Sequence, residues 1–272
     1  MSHISYSELK EWTDCAWKHK LNYIDKIKQF KGNEHTCFGS ALHTVCEVVV
    51  QDHDENKKSE GLEQLFEQEF VQNLQKVKQS SPDIEFSPEL LTSMRSQGKH
   101  IIQFILPALK KYFGKFEMIS IEEPLYQDIE NDKIQKKFKG FIDLVVYSKK
   151  DGKVHLIDWK TCSWGWKPQK KSDKILAYQL VFYKHFYAQK YEVEPKDIDC
   201  HFVLLKRTAK PGKKAEFVRV TAAKKRTTDA MNLLLRALHN INKQNYVKNR
   251  NSCTDCKDRF GTCEFYQTEY CP

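Results

Sequence analysis

No run of 18 apolar residues occurs in the 272-residue chain, which predicts that it places no helix across a membrane. The opening MSHISYSELKEW lacks the charged-then-apolar order of a secretory leader, so a cytoplasmic or nuclear location, not a secreted one, is expected. Internal repeats and Gly/Ser-rich linkers are also missing. One domain over residues 1–272 follows, with a mainly helical part at 1–115, a core at 116–221, and a last helix and cysteine-rich tail at 222–272. Disulfides are disfavoured, because the nine cysteines are odd in number and the expected compartment is reducing.

What is present is a composition that can bury a sizeable core, 40% hydrophobic with 30% charged residues. The net charge is +9, and nearly all of it sits in KRTAKPGKKAEFVRVTAAKKR, residues 206–226, where Glu216 is the one acid among nine bases. A stretch of this kind is either a solvated hairpin or a contact to a polyanion backbone, with Lys206, Arg207, Lys213 and Lys214 as candidates. Acidic residues elsewhere are less grouped. QDHDENKKSE has the composition of a metal site but no ligand spacing, and reads as a solvated helix end.

The first third has helical spacing of apolar residues in FGSALHTVCEVVVQDH and GLEQLFEQEFVQNLQKVKQ, with Ser5 able to cap SYSELKEW. SPELLTSMRSQGKHIIQFILPALKKYF continues as helix, with a bend or break expected near Pro107. Strands follow: FEMISIEEPLYQDI, IQKKFKGFIDLVVYS and KVHLIDWKT, then, after a helix capped by Ser172, DCHFVLLKR and AEFVRVT. A final helix, TTDAMNLLLRALHNINKQN, leads into the tail. Strands flanked by helices on both sides predict an α/β fold, a mixed central sheet covered by helices.

Asp151-Gly152 between two apolar runs signals a hairpin. With those two residues as the turn, Asp143 falls opposite Lys160 and Val145 opposite Asp158. Asp143, Asp158 and Lys160 then share one face, while Ile142, Leu144, Val146, Ile157 and Trp159 take the other. Two carboxylates this close repel unless a cation lies between them, and hard oxygen donors select Mg²⁺ or Mn²⁺. A lysine beside such an ion orients a water and stabilises charge developing on a phosphate. The competing reading is a structural Asp-Lys ion pair. His155, Glu122 and Glu123 receive no chemistry from the sequence.

GFIDLVV followed by LIDWKT resembles the PD-(D/E)XK nucleases, in particular the RecB-like branch with the CRISPR-associated exonucleases and the AddB nuclease domain. FGSALHTVCE resembles the family's G-x-x-x-H-x-x-x-E helix, and QLVFY its Q-x-x-x-Y. SYSELKEWTDCAWKHKLNYI resembles the branch's opening segment, so the likeness runs from about residue 4 to 265. One departure is Ile142, where the nominal motif has proline. The resemblance implies a restriction-endonuclease-like core that hydrolyses DNA, single-stranded or with free ends, as an exonuclease in recombination, repair or replication-linked processing. It implies that Asp143, Asp158 and Lys160 are catalytic, and that His43, Asp143, Asp158 and the Trp159 carbonyl hold one or two divalent ions. Gln179 and Tyr183 would hold the strand; apart from the resemblance, Trp164 and Trp166 in the loop after Lys160 are either stacking platforms for bases or packing covers. No G-x-x-x-x-G-K-[ST] loop is present. Any unwinding would therefore come from a helicase or recombination partner.

The tail CTDCKDRFGTCEFYQTEYCP has the C-x-x-C spacing of a metal site. By the resemblance, Cys15, Cys253, Cys256 and Cys263 hold a [4Fe-4S] cluster. By local spacing, Cys253, Cys256, Cys263 and Cys271 could instead hold Zn²⁺. Two other functions fit the same residues: a non-catalytic zinc-tailed nucleic-acid-binding module, or a CRISPR-associated nuclease that trims spacers.

Overall fold

The computed structural model describes residues 3–27, 32–129, 135–255 and 263–272, with the side chains of 253–255 left aside. It contains a six-stranded mixed sheet with helices on both faces. The chain divides into two compact units, Met1–Lys31 with Tyr126–Gly140 and Ala223–Pro272, and Gly32–Leu125 with Phe141–Ala222.

The larger unit begins with α3 (Glu34–Asp54), which Asn33 starts by a capping box with Thr36. Its buried positions, Cys37, Phe38, Ala41, Leu42, Val45, Cys46, Val49 and Val50, recur at three and four residues and form one stripe. Against it lie α4 (Leu62–Ser80), through Phe66, Phe70, Leu74 and Val77, and α5 (Pro88–Phe113). Ser87 caps α5 and Pro88 occupies its first turn, where the missing N–H is harmless. The expected break at Pro107 does not occur, and α5 runs through it to Phe113. Ile101, Ile105, Leu109 and Phe113 are buried on both sides of the proline, and that packing outweighs the one lost helical hydrogen bond.

Strands β2 (Phe116–Asp128), β3 (Lys137–Ser148) and β4 (Lys153–Cys162) follow. After the four-residue α6 (Pro168–Lys171) and α7 (Lys174–Tyr191) come β5 (Ile198–Lys206) and β6 (Ala215–Val220). β4 pairs antiparallel with β3 and parallel with β5, and β6 is antiparallel to β5. Leu144, Val146, Ile157, Trp159, Val203 and Leu205 project from this sheet into the core formed by α3, α4 and α5. The other face receives α7, whose residues 177–183 are buried all round. β4 is buried on both faces from His155 to Trp159, as expected for an inner strand.

Two sequence expectations need correction. The hairpin has a four-residue connection, Lys149–Gly152, so that Ser148 pairs with Lys153 and Leu144 with Ile157. The amide of Gly152 donates to the Ser148 carbonyl at φ +69°, a left-handed conformation that glycine adopts without strain. This shifts the register by two, and an even shift leaves every side chain on its expected face. The helix expected to be capped by Ser172 is capped by Asp173, whose carboxylate accepts from the amides of Ile175 and Leu176. Ser172 instead ends α6.

In the smaller unit, β1 (His3–Ser5) pairs parallel with the start of β3, Ile4 beside Phe138. Ser5 caps α1 (Tyr6–Asp14), followed by α2 (Ala16–His19) and a π-helical turn at Lys20–Ile24. Later residues supply α8 (Lys224–Asn242) and α9 (Arg250–Asp255). The two chain ends meet here. The Trp17 indole donates to the Tyr270 carbonyl, Lys18 pairs with Glu264 at 2.8 Å, and the Trp17 amide donates to the Val247 carbonyl.

Candidate active site

The site lies within the larger unit, at the end of the β3-β4 hairpin away from its turn. Continuing the observed register by one step sets Asp143 abreast of Asp158. Asp143 Oδ2 accepts the amide of Trp159 at 2.6 Å. Asp158 is only 2% exposed. Its Oδ1 accepts from the Gln179 amide at 2.5 Å, and its Oδ2 lies 2.7 Å from Lys160 Nζ without the alignment of a hydrogen bond. The D…DxK residues therefore meet on one face, as the alternation of β4 requires.

Helix α3 adds His43. Gly39, one turn earlier, packs closely on β4: a Cβ there would sit 3.3 Å from Thr161 Oγ1. That approach brings His43 Nε2 to 3.1 Å from the Trp159 carbonyl oxygen and Nδ1 to 3.7 Å from Asp143 Oδ2. Burial disfavours protonation and lowers the His43 pKa, leaving a neutral imidazole able to ligate. Helix α7 adds Gln179 and Tyr183, four residues apart, with the Gln179 amide also donating to the Tyr183 hydroxyl at 3.2 Å. Both are buried; the Gln179 amide bonds Asp158 directly, and the Tyr183 hydroxyl meets that same amide.

The electrostatics of the site are set by burial and by carboxylates that Lys160 balances only in part. Burial first, and then the Asp158 carboxylate, raise the Asp143 pKa well above the usual carboxylate range, with Lys160 opposing. Burial and Asp158 also raise Glu122. Glu47, one turn after His43, is raised by burial and by Glu122. Glu122 and Glu47 are thus two further acids electrostatically linked to this site; Glu47 is the last residue of the G-x-x-x-H-x-x-x-E pattern read in the sequence, whereas Glu122 lies in a strand pattern that assigns it no role. Its backbone sits at φ +49°, an irregularity that strand alternation does not reveal. The adjacent Glu123 is buried and receives Lys190 and Tyr191 from α7.

Asp158 Oδ2 and Gln179 Oε1 are buried without a hydrogen-bond donor. Buried oxygens lacking donors, among carboxylates whose charge is opposed, form a donor set suited to a hard divalent cation. An imidazole, two carboxylates and a peptide carbonyl around one strand end, with an ammonium beside them, are groups that could hold a divalent ion and assist hydrolysis of a phosphate ester.

The chain matches the sequence profile of the PD-(D/E)XK nuclease superfamily over residues 3–263 and belongs to that superfamily. No curated protein matches it in sequence. Among solved structures, it is similar in fold to that of a candidate exonuclease from Eubacterium rectale, with a TM-score of 0.54 and 11% identity. That similarity covers 95% of this chain and 88% of the other.

The remaining expected residues are placed as follows. Lys206 pairs with Glu216, Arg207 donates to Ser163 Oγ, and Lys214 donates to the Arg207 carbonyl, all three being buried, while Lys213 is exposed. Trp166 packs against Phe202, whereas Trp164 is 69% exposed. Cys15 is buried and its sulfur accepts the Asn249 amide at 3.4 Å. The Cys263 thiol acts electrostatically on Lys18. Cys256 and the side chain of Cys253 lie outside the described residues, and Cys271 closes a turn with Thr268.

Proposed function

We propose that the protein is a divalent-metal-dependent DNA exonuclease acting in recombination, repair or replication-linked processing. The observation that carries this reading is the meeting of His43, Asp143, Asp158 and Lys160 at one strand end, in a chain of the PD-(D/E)XK superfamily. His43, Asp143, Asp158 and the Trp159 carbonyl would hold Mg²⁺ or Mn²⁺, which when bound supplies a polarised phosphate and an acidified water. Lys160 holds its ammonium against Asp158 and stabilises negative charge growing on the phosphate. Gln179 fixes Asp158 through its amide, and Tyr183 supports Gln179. Among the expected DNA-contacting residues, Lys213 and Trp164 are exposed and would reach a strand through charge and stacking.

The exonuclease assignment follows the RecB-like resemblance and the description of the Eubacterium rectale protein. A [4Fe-4S] cluster on Cys15, Cys253, Cys256 and Cys263 is the reading that agrees with the meeting of both chain ends in the smaller unit. It would act in folding, since metal-binding free energy becomes folding free energy where the unfolded chain has no site.

The test is hydrolysis of linear single-stranded, linear double-stranded and circular single-stranded DNA in Mg²⁺ or Mn²⁺. Degradation of linear DNA with circles spared supports the proposal. Cutting of circles would make the enzyme an endonuclease, and no cleavage of any substrate would reject the nuclease reading.

A further inference from the structure

The face of the sheet that packs on α5 changes character along its strands. It is apolar at Ile157, Trp159, Val203 and Leu205, but β4 and β5 carry His155, Asp199 and His201 on the same face nearer their starts. His155 lies directly opposite Asp199 in the parallel ladder. Burying two imidazoles where the same strands otherwise bury apolar groups is costly unless their nitrogens are engaged. They are engaged in a chain: His155 Nε2 lies 3.1 Å from Asp151 Oδ1, and its Nδ1 3.0 Å from His201 Nε2. His201 Nδ1 in turn lies 3.4 Å from the Tyr112 hydroxyl.

One oxygen each from Asp151 and Asp199 and one nitrogen of His155 lie within 4.8 Å of one another. Beside them is a cavity of about 690 Å³, lined also by Phe104, Phe113, Lys111 and Phe217. Asp199 is held by Arg219, at 2.8 and 2.9 Å, and by Lys153 at 3.5 Å. A carboxylate has about four acceptor positions, so these contacts orient Asp199 and leave it capacity for another partner. The neighbouring cations will also moderate the affinity of any ion bound there.

We propose that Asp151, His155 and Asp199 form a second metal site, separate from the Asp143–Asp158 centre, for a divalent ion of the zinc class. One imidazole with two carboxylates accommodates Zn²⁺ and its transition-metal neighbours, and the Asp143–Asp158 centre, with His43, is a second place where the same ions can bind. Three protein ligands leave a position open to the cavity, from which water or a ligand oxygen completes the shell. His201 has the role of the outer partner that orients a metal-bound imidazole through its second nitrogen. His155 and Asp158 are three residues apart on one strand, so they point to opposite faces and lie about 10 Å apart along it.

The test is equilibrium dialysis of the full chain against Zn²⁺, comparing wild type with His155→Gln, Asp151→Asn, His201→Asn and Asp158→Asn. Zinc taken up by the cysteines is common to all of these and cancels in the differences. The expected result is one zinc equivalent fewer in His155→Gln than in wild type, the same one-equivalent difference when His155→Gln is added to Asp158→Asn, and affinity weakened about 10–100-fold in His201→Asn. Circular dichroism checks folding; should His155→Gln unfold, Asp151→Asn, in the exposed turn, carries the same expected loss. Equal zinc stoichiometry and affinity in wild type and the folded variants at 151 and 155 would overturn the proposal.

Discussion

Asp158 is the residue on which the candidate active site converges, with Lys160 on one oxygen and Gln179 on the other. Gln179→Ala leaves a buried carboxylate oxygen without its donor. We predict a 10–100-fold loss of Mg²⁺-dependent cleavage, recovered in part at high Mg²⁺, to be read from rates across a metal titration. A second prediction concerns Glu123. Burial works against its charge, yet hydrogen bonds from Lys190 and Tyr191 hold its pKa below the usual 4.5. The stabilisation it gives is therefore complete above about pH 4.5 and is lost as pH falls through the lower folded-state value. Glu123→Gln should cost about 1–2 kcal/mol at pH 7, and urea unfolding should show that gap closing as the pH is taken progressively below 4.5. At this scale Asp143, Asp158 and Lys160 were legible because period-two alternation assigns faces whatever the turn length, provided the register shifts by an even number. Glu122 was not, since its approach to the site depends on a left-handed backbone position that no pattern announces.

Elements were legible where apolar spacing was long and regular, as in α3, α4 and α8, and less so at their ends. The start of α7 illustrates why: Ser172 and Asp173 are both competent caps, and only the turn made by α6 decides between them. Asp173→Ala should cost about 1 kcal/mol and Ser172→Ala much less, a contrast that thermal unfolding of the two variants can measure. The passage of α5 over α4 sets a different limit. A Cβ at Gly98 would fall 2.2 Å from Cζ of the fully buried Phe66. Alanine favours a helix over glycine by about 1 kcal/mol, yet this overlap forces the ring to move, at a cost of about 1–3 kcal/mol. Gly98→Ala is therefore predicted to be neutral to destabilising by up to about 2 kcal/mol in denaturant unfolding, instead of stabilising.

At the scale of the whole molecule, each unit has a distinct task. The larger holds the acids, His43 and Lys160, while the smaller holds both chain ends through Trp17, Lys18 and Cys15. The α/β class with a helix-covered mixed sheet was readable from the order of periodic segments. The division into units was not, because the smaller one is assembled from three separated stretches and no linker marks it. The central claim is that the hairpin face carries out metal-dependent phosphodiester hydrolysis, and the most direct test is single-turnover cleavage of linear DNA by wild type and Lys160→Ala, with DNA binding measured in parallel. The account predicts that the variant binds DNA within a few-fold of wild type and cleaves it at least 10²–10³-fold more slowly. Cleavage by Lys160→Ala at the wild-type rate would contradict it.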